Sequence, residues 1–243
     1  MERRRRRLRF AVVGNGWQLF ATDAELADGL SAIANHCKQP PSTANHCPML
    51  RLQNFHGSEL EPHLDGLGAL RIAVFREYPY LYDGSLEYER EYLRTYLKSK
   101  DSLVVLAFDD DRVVGATTCL PMLDEGPEFQ AAFVQARYDL STICYFGESI
   151  LLPEYRGQGI GKEFFTRREA HVRKLGMKLS TFCAVDRPAD HPLRSTGYRP
   201  LDDFWRSQGY VKHPELQATF VWKEIGEKAE SPKTLTFWTK AWG

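Results

Sequence analysis

Apolar and polar positions alternate over Leu50–Phe55, which predicts a first strand. A helical spacing follows: Leu64, Leu67, Leu70 and Val74 share one face, and Ser58 with Glu61 three residues on forms a capping-box pattern for a helix reaching Phe75. Past an aromatic loop at 78–84, Tyr88, Tyr92 and Tyr96 fall in one row of a second helix over 87–97. Apolar runs at 103–108 and 112–120, joined by Asp109, Asp110 and Asp111, predict a β-hairpin. A short helix at 128–138 leads to an apolar run at 143–152, in which Gly147 suggests a bulge and which Pro153 stops. An amphipathic helix begins soon after. Phe164, His171 and Leu175, with Gly161, Phe165 and Val172 beside them, form its apolar stripe, Arg168 falls within that stripe, and Gly176 ends it. A buried strand at 179–185, a Pro-rich loop at 186–199, a short helix at 201–208 and a strand at 219–224 follow. Leu235, Phe237, Trp238 and Trp242 make the tail apolar enough to pack on the body.

The pattern divides the chain into an N-terminal extension at 1–48, expected to be poorly ordered, a compact α/β domain at 49–226 and an apolar C-terminal segment at 227–243. Arg3 to Arg7 form a basic run before Phe10, Ala11, Val12 and Val13, but Gly14, Asn15 and Gly16 cut the apolar stretch too short for a secretory signal. Ala34-Asn35-His36-Cys37 recurs as Ala44-Asn45-His46-Cys47. Neighbouring His and Cys side chains point apart and no C-x-x-C turn accompanies them, so no metal is expected.

Lys+Arg and Asp+Glu balance at 32 each, which gives no basic excess for binding a phosphate backbone, so no nucleic-acid partner is expected. No apolar run reaches the roughly 18 to 20 residues of a membrane span. Five cysteines, an odd number in a chain long enough to bury a core, read as reduced thiols in the cytoplasm.

The chemistry concentrates at 152–161, Leu-Pro-Glu-Tyr-Arg-Gly-Gln-Gly-Ile-Gly. Strand, glycine turn and helix in that order aim free backbone N–H groups and the positive end of a helix at an anion. Gly157, Gly159 and Gly161 let main chain approach a pyrophosphate closely. Their G-x-G-x-G spacing differs from the dinucleotide fingerprint, and no Lys-Ser/Thr pair follows as in a nucleoside-triphosphate loop.

This stretch resembles the acyl-CoA signature of the GNAT superfamily of N-acyltransferases, V-x-P-x-Y-R-G-x-G-I-G, and the order of elements over about 49–225 resembles its fold. The resemblance implies a mixed α/β fold with a central sheet splayed between the strands at 143–152 and 179–185, and coenzyme A wedged in the splay. It implies that Arg156, Gly157, Gln158, Gly159, Ile160 and Gly161 cradle the pyrophosphate and that Ile150, Leu151 and Leu152 carry the pantetheine arm. It implies an N-acyltransferase using acetyl-CoA, with a small-molecule or peptide amine as acceptor, acting as a monomer or homodimer. Residues 203–210 resemble the family's second landmark, F-Y-x-x-x-G-F, but Trp205 stands where that motif has its acid tyrosine, and a place near Tyr198 where the family has a pantetheine-binding asparagine.

Acyl transfer to an amine needs a base for the amine proton and a proton for the leaving thiolate. Glu148 is the candidate base: strand alternation sets it on the face of Phe146, Ile150 and Leu152, where apolar neighbours raise a carboxyl pKa. Its structural alternative is pairing with Arg156 or Arg168. For the acid, Tyr198, Tyr210 and Cys183 are candidates. Acceptor recognition is expected from Tyr78, Tyr80, Tyr82, Asp186, Asp190 and His191, on loops that a rigid scaffold positions. A noncatalytic acyl-CoA-binding module on the same fold is the alternative that Trp205 leaves open, and a nucleotide-phosphate binder a third reading that the glycine spacing disfavours.

Overall fold

A computed structural model describes residues 50–243 and, before them, two short strands, β1 (Phe10–Val12) and β2 (Trp17–Leu19), that pair antiparallel. The rest of the 1–48 extension, including the tandem Ala-Asn-His-Cys, lies outside the described residues.

Seven strands form one sheet: β3 (Leu50–Phe55), β4 (Leu103–Asp109), β5 (Arg112–Pro121), β6 (Ile143–Leu151), β7 (Leu179–Val185), β8 (Val211–Trp222) and β9 (Ser231–Ala241), in the order β3-β4-β5-β6-β7-β9-β8. All neighbours are antiparallel except β6 and β7. Both faces are covered. Along β4, Val104, Leu106 and Phe108 join the cluster under α1 (Leu64–Phe75), α2 (Leu86–Lys98) and α3 (Pro127–Gln135). Leu103, Val105 and Ala107 join the opposite cluster, under α4 (Ile160–Lys174), with Phe204 of α5 (Asp202–Ser207) against it. Burial on both sides explains why this strand reads as one apolar run rather than as an alternation.

Three expectations change. The cap ahead of α1 is not Ser58 with Glu61: a 3₁₀ turn, Gly57–His63, comes first, and the Glu59 carboxylate accepts from the His56 N–H at 2.9 Å. Pro62 is the reason, since a helix capped at Ser58 would need the residue at 62 to donate the first i→i−4 hydrogen bond. The segment at 227–243 does more than pack on the body, because β9 enters the sheet between β7 and β8, pairing with each over most of its length. Its Leu235 and Phe237 face one core and Trp238 the other. The late strand is also longer than 219–224, starting at Val211 and interrupted by a register shift between His213 and Gln217.

The splay is present. β6 and β7 pair only from Ile143↔Leu179 to Tyr145↔Thr181 and then part. Just past that point the β5–β6 register shifts: Thr117 faces Ser149 but Cys119 faces Phe146, so two residues, Gly147 and Glu148, oppose Thr118 alone. A Cβ at Gly147 would collide with the Tyr96 hydroxyl and Thr118 Oγ1, which accounts for the glycine. The bulge also resets the alternation. Tyr145 and Ile150 lie in the α1/α2 cluster, whereas Phe146 lies in the α4 cluster. Glu148 therefore shares a face with Ile150 and not, as simple alternation predicts, with Phe146.

Candidate active site

The glycine turn begins where β6 ends. Leu152 N–H donates to Val114 O at 3.0 Å, a one-turn helix, Pro153–Tyr155, follows, and α4 starts after Gly159. Gly157 and Gly159 have φ of 79° and 85°, which side chains rarely tolerate. A Cβ built on either meets no atom within 4 Å, so the turn keeps open space beside its backbone. Lys162 and Glu163 N–H donate to Gly159 O. By helix geometry the N–H groups before them have no acceptor within the helix and are available to an anion. The turn thus fits a pyrophosphate through its backbone. The side chains play other parts: Arg156 Nε donates to Leu151 O at 3.0 Å and its Nη2 to Glu77 at 2.9 Å, Gln158 Nε2 donates to Glu154 O, and Ile160 is buried beneath the turn.

One cavity of about 1120 Å³ runs from this turn through the splay to the aromatic loop. The expected residues that line it are Glu148, Ile150, Leu151, Arg156, Gly157, Gly159, Gly161 and Cys183, with Tyr78, Tyr80, Asp186 and Tyr198 at its far end. Leu152, Gln158, Ile160, Tyr82, Asp190 and His191 are not on its wall. Tyr82 is a correction with a clear cause: it is buried in the α1/α2 core with its ring against Tyr88. Asp190 is exposed on the loop surface. His191 stands behind the wall, its ring 5.5 Å from that of Tyr78. Asp186 is on the wall but engaged, pairing with Lys212 at 3.3 Å and accepting from the Thr236 hydroxyl.

Glu148 is paired with neither Arg156 nor Arg168 but with Arg71 of α1, at 2.7 Å, and both side chains are fully buried. Arg71 is also bonded to Glu89 of α2. The hydroxyls of Tyr92 and Tyr96 donate to the same Glu148 oxygen, Oε2, at 3.4 and 3.3 Å, while Oε1 has no hydrogen-bond partner. The Glu148 N–H donates to Thr118 Oγ1, and its carbonyl accepts from the Thr117 hydroxyl. Burial raises the Glu148 pKa, Arg71 opposes that rise and Glu89 adds to it. Nearby Glu125, buried and with Oε1 unpartnered, is pushed up to about 8 chiefly by burial, against the pull of its hydrogen bond from Gly126. Tyr198, whose ring meets Tyr78 edge-on at 4.6 Å, has its pKa raised by burial, and burial pushes the Cys183 thiol up to about 12.

Several residues of this site escaped the sequence reading. Arg71 falls between Leu70 and Val74 on a core-facing stripe, where burying a charge is costly unless something compensates it; that signal was available. Arg187 carried none. Its Nε donates to Pro79 O at 2.6 Å and its Nη2 to Tyr80 O at 3.2 Å, and it pairs with Glu224 at 2.5 Å, so it ties the aromatic loop to β7. Among the described residues no group of three or more His, Cys, Asp or Glu side chains could hold a metal ion, and no helix is long and apolar enough to cross a membrane.

The model of the family described as Acetyltransferase (GNAT) family matches residues 69–198. No curated protein sequence matches the chain. Among solved structures, a ribosomal-protein-alanine N-acetyltransferase from Brucella melitensis is similar with a TM-score of 0.52 at 16% identity, covering 78% of this chain and 99% of its own. An acetyltransferase from Streptococcus agalactiae 2603 gives 0.51 at 12% identity, over 79% and 98%. A probable acetyltransferase from Staphylococcus epidermidis ATCC 12228 gives 0.50 at 12%, over 79% and 99%. At these identities the likeness is one of fold.

Proposed function

Because the chain belongs to the acetyltransferase (GNAT) family, we propose that it moves an acyl group from acyl-CoA to an amine, by direct attack in a ternary complex, with acetyl-CoA as the simplest donor. The observation that carries this reading is the single cavity joining the glycine turn, the splay and the aromatic loop. It gives the pyrophosphate, the thioester and the acceptor one continuous space. The turn at 156–161 binds the pyrophosphate through backbone N–H groups. The β6 backbone past Tyr145, no longer paired with β7, takes the pantetheine arm beside Ile150 and Leu151. When bound, acyl-CoA supplies the thioester carbonyl carbon that the amine attacks.

The residues of the chain manage the protons. Glu148 accepts the amine proton at Oε1, the oxygen without a partner, while Arg71, Tyr92 and Tyr96 hold Oε2 in place. As the C–N bond forms and the C–S bond breaks, the electron pair leaves on sulfur, which takes up a proton. Trp205 lines the cavity but its indole is no useful acid, so Tyr198 is the proposed donor. The acceptor is a small-molecule or peptide amine held against Tyr78 and Tyr80. The free thiols of Cys119, Cys144 and Cys183 support a reducing compartment, the cytoplasm.

Trp205 also favours one rival reading, a noncatalytic acyl-CoA-binding module. Thiol release from acetyl-CoA, followed across a panel of small amines and peptides, separates the two. An acceptor-dependent release is expected; tight coenzyme A binding with no release for any amine supports the rival instead.

A further inference from the structure

Arg168 is a buried charge without a counterion. It is 2% exposed, and its guanidinium lies over the rings of Phe146 and Phe165, at 4.3 and 4.6 Å. Its Nε is buried with no hydrogen-bond partner, and among the described residues no carboxylate stands within ion-pair distance. The groups facing it do not neutralise it. The Cys144 thiol is held in its neutral form by its hydrogen bond with Cys119 and by burial, and burial likewise keeps the Tyr210 hydroxyl neutral. Glu169 is taken by Lys240 at 2.8 Å. A guanidinium stacked on aromatic faces keeps its N–H edge available, and that edge is shaped to hold a carboxylate by two parallel hydrogen bonds.

Its place in the fold says which carboxylate. Phe146 is the first residue of β6 beyond the last pair with β7, so Arg168 stands at the apex of the splay on the α4 side, and it lines the cavity. With the pyrophosphate at the turn and the pantetheine arm along β6, the thioester comes to the bulge at Gly147 and Glu148. From there to Phe146 is one or two strand residues, about 3–7 Å, the reach of a short acyl chain. A neutral pantetheine amide in this position would leave the charge uncompensated, whereas a carboxylate at the end of the acyl group compensates it.

We propose that Arg168 selects acyl donors whose acyl group ends in a carboxylate, so that the preferred donor is a short dicarboxylic acyl-CoA of the succinyl type. The proposal rests on the acyl-CoA reading above and adds the class of acyl group to it.

The test needs no acceptor. Dissociation constants of coenzyme A, butyryl-CoA and succinyl-CoA are measured by calorimetry for the full chain; the two acyl groups have the same number of carbons and differ in the terminal carboxylate. Succinyl-CoA is expected to bind about tenfold tighter than butyryl-CoA or better, and Arg168→Met to bring that ratio to about one or below. Equal affinities in the unmodified protein overturn the proposal without recourse to any variant. An Arg168→Met protein that loses both acyl donors alike overturns it too, by assigning the guanidinium to the pantetheine arm. No binding of coenzyme A in any form removes the acyl-CoA reading and this inference together; coenzyme A bound without preference removes this inference alone.

Discussion

Two buried arginines flank the central strand, and they are solvated by the protein in opposite ways. On the α1/α2 face Arg71 meets Glu89 and Glu148, with Glu125 close enough to feel both Arg71 and Glu148. On the α4 face Arg168 has two aromatic rings and no acid. The first charge is compensated within the fold, where burial above all pushes the Glu125 carboxyl up to about 8 and Glu148 keeps one oxygen without a partner. The second is left for whatever enters the cavity. In the function proposed above, the charge that the chain itself pairs holds Glu148 in place, and the one it leaves unpaired awaits a ligand.

The contrast is sharpest in stability. Arg71→Met leaves Glu89 and Glu148 buried without a cation and is expected to cost about 3–5 kcal/mol in denaturant unfolding. A loss below 1 kcal/mol would mean that the carboxyls find another partner. Glu125 tests the same face by pH. Its folded-state pKa of about 8 lies above the ordinary 4.5, so the native protein keeps a proton that the unfolded chain releases. Its contribution is therefore full below pH ~4.5 and is lost as pH rises toward 8. Glu125→Gln should flatten that decline, by a few kcal/mol across the window; a decline of unchanged slope assigns it to other groups.

Glu148→Gln keeps the size and removes the proton acceptor, so kcat/KM should fall on the order of 10²-fold near neutral pH. Because burial raises the Glu148 pKa, activity of the unmodified enzyme should climb with pH through that raised value, and the deficit of the variant should shrink at high pH, where free amine is abundant. Parallel, undiminished profiles would leave Glu148 structural. The smallest effect belongs to the other arginine. Arg168→Met removes an unpaired charge and should change stability by less than about 1 kcal/mol, or raise it. A loss as large as that of Arg71→Met would show Arg168 to be paired by the fold and would erase the difference between the two faces.

The same contrast explains what could be read from sequence. The turn at 156–161 was legible because its cause is local: proline stops a strand, glycines occupy positive φ, and a periodic helix follows at once. Gly147 could be recognised as a bulge for the same reason, yet its consequence, the transfer of Glu148 to the face opposite Phe146, depends on the register against β5. The Arg71 cluster joins α1, α2 and β6 across 18 and more residues, and nothing local says which acid meets which base. Tyr82 and Tyr80 are two residues apart in one aromatic loop, but only packing against Tyr88 decides that the first is core while the second lines the cavity. The tail was read as apolar, and its insertion as β9 is a matter of which strand edges were free to receive it.

The central claim is that the glycine turn opens the cavity to coenzyme A, and thermal protection tests it most directly. Coenzyme A should raise the Tm of the unmodified protein in a concentration-dependent way, while NAD and ATP at equal concentration should not. Gly159→Val puts a side chain into the open space beside a residue at φ 85° and should abolish the coenzyme A shift while the protein still unfolds cooperatively. An unchanged coenzyme A shift in Gly159→Val, or equal protection by ATP, would contradict the account.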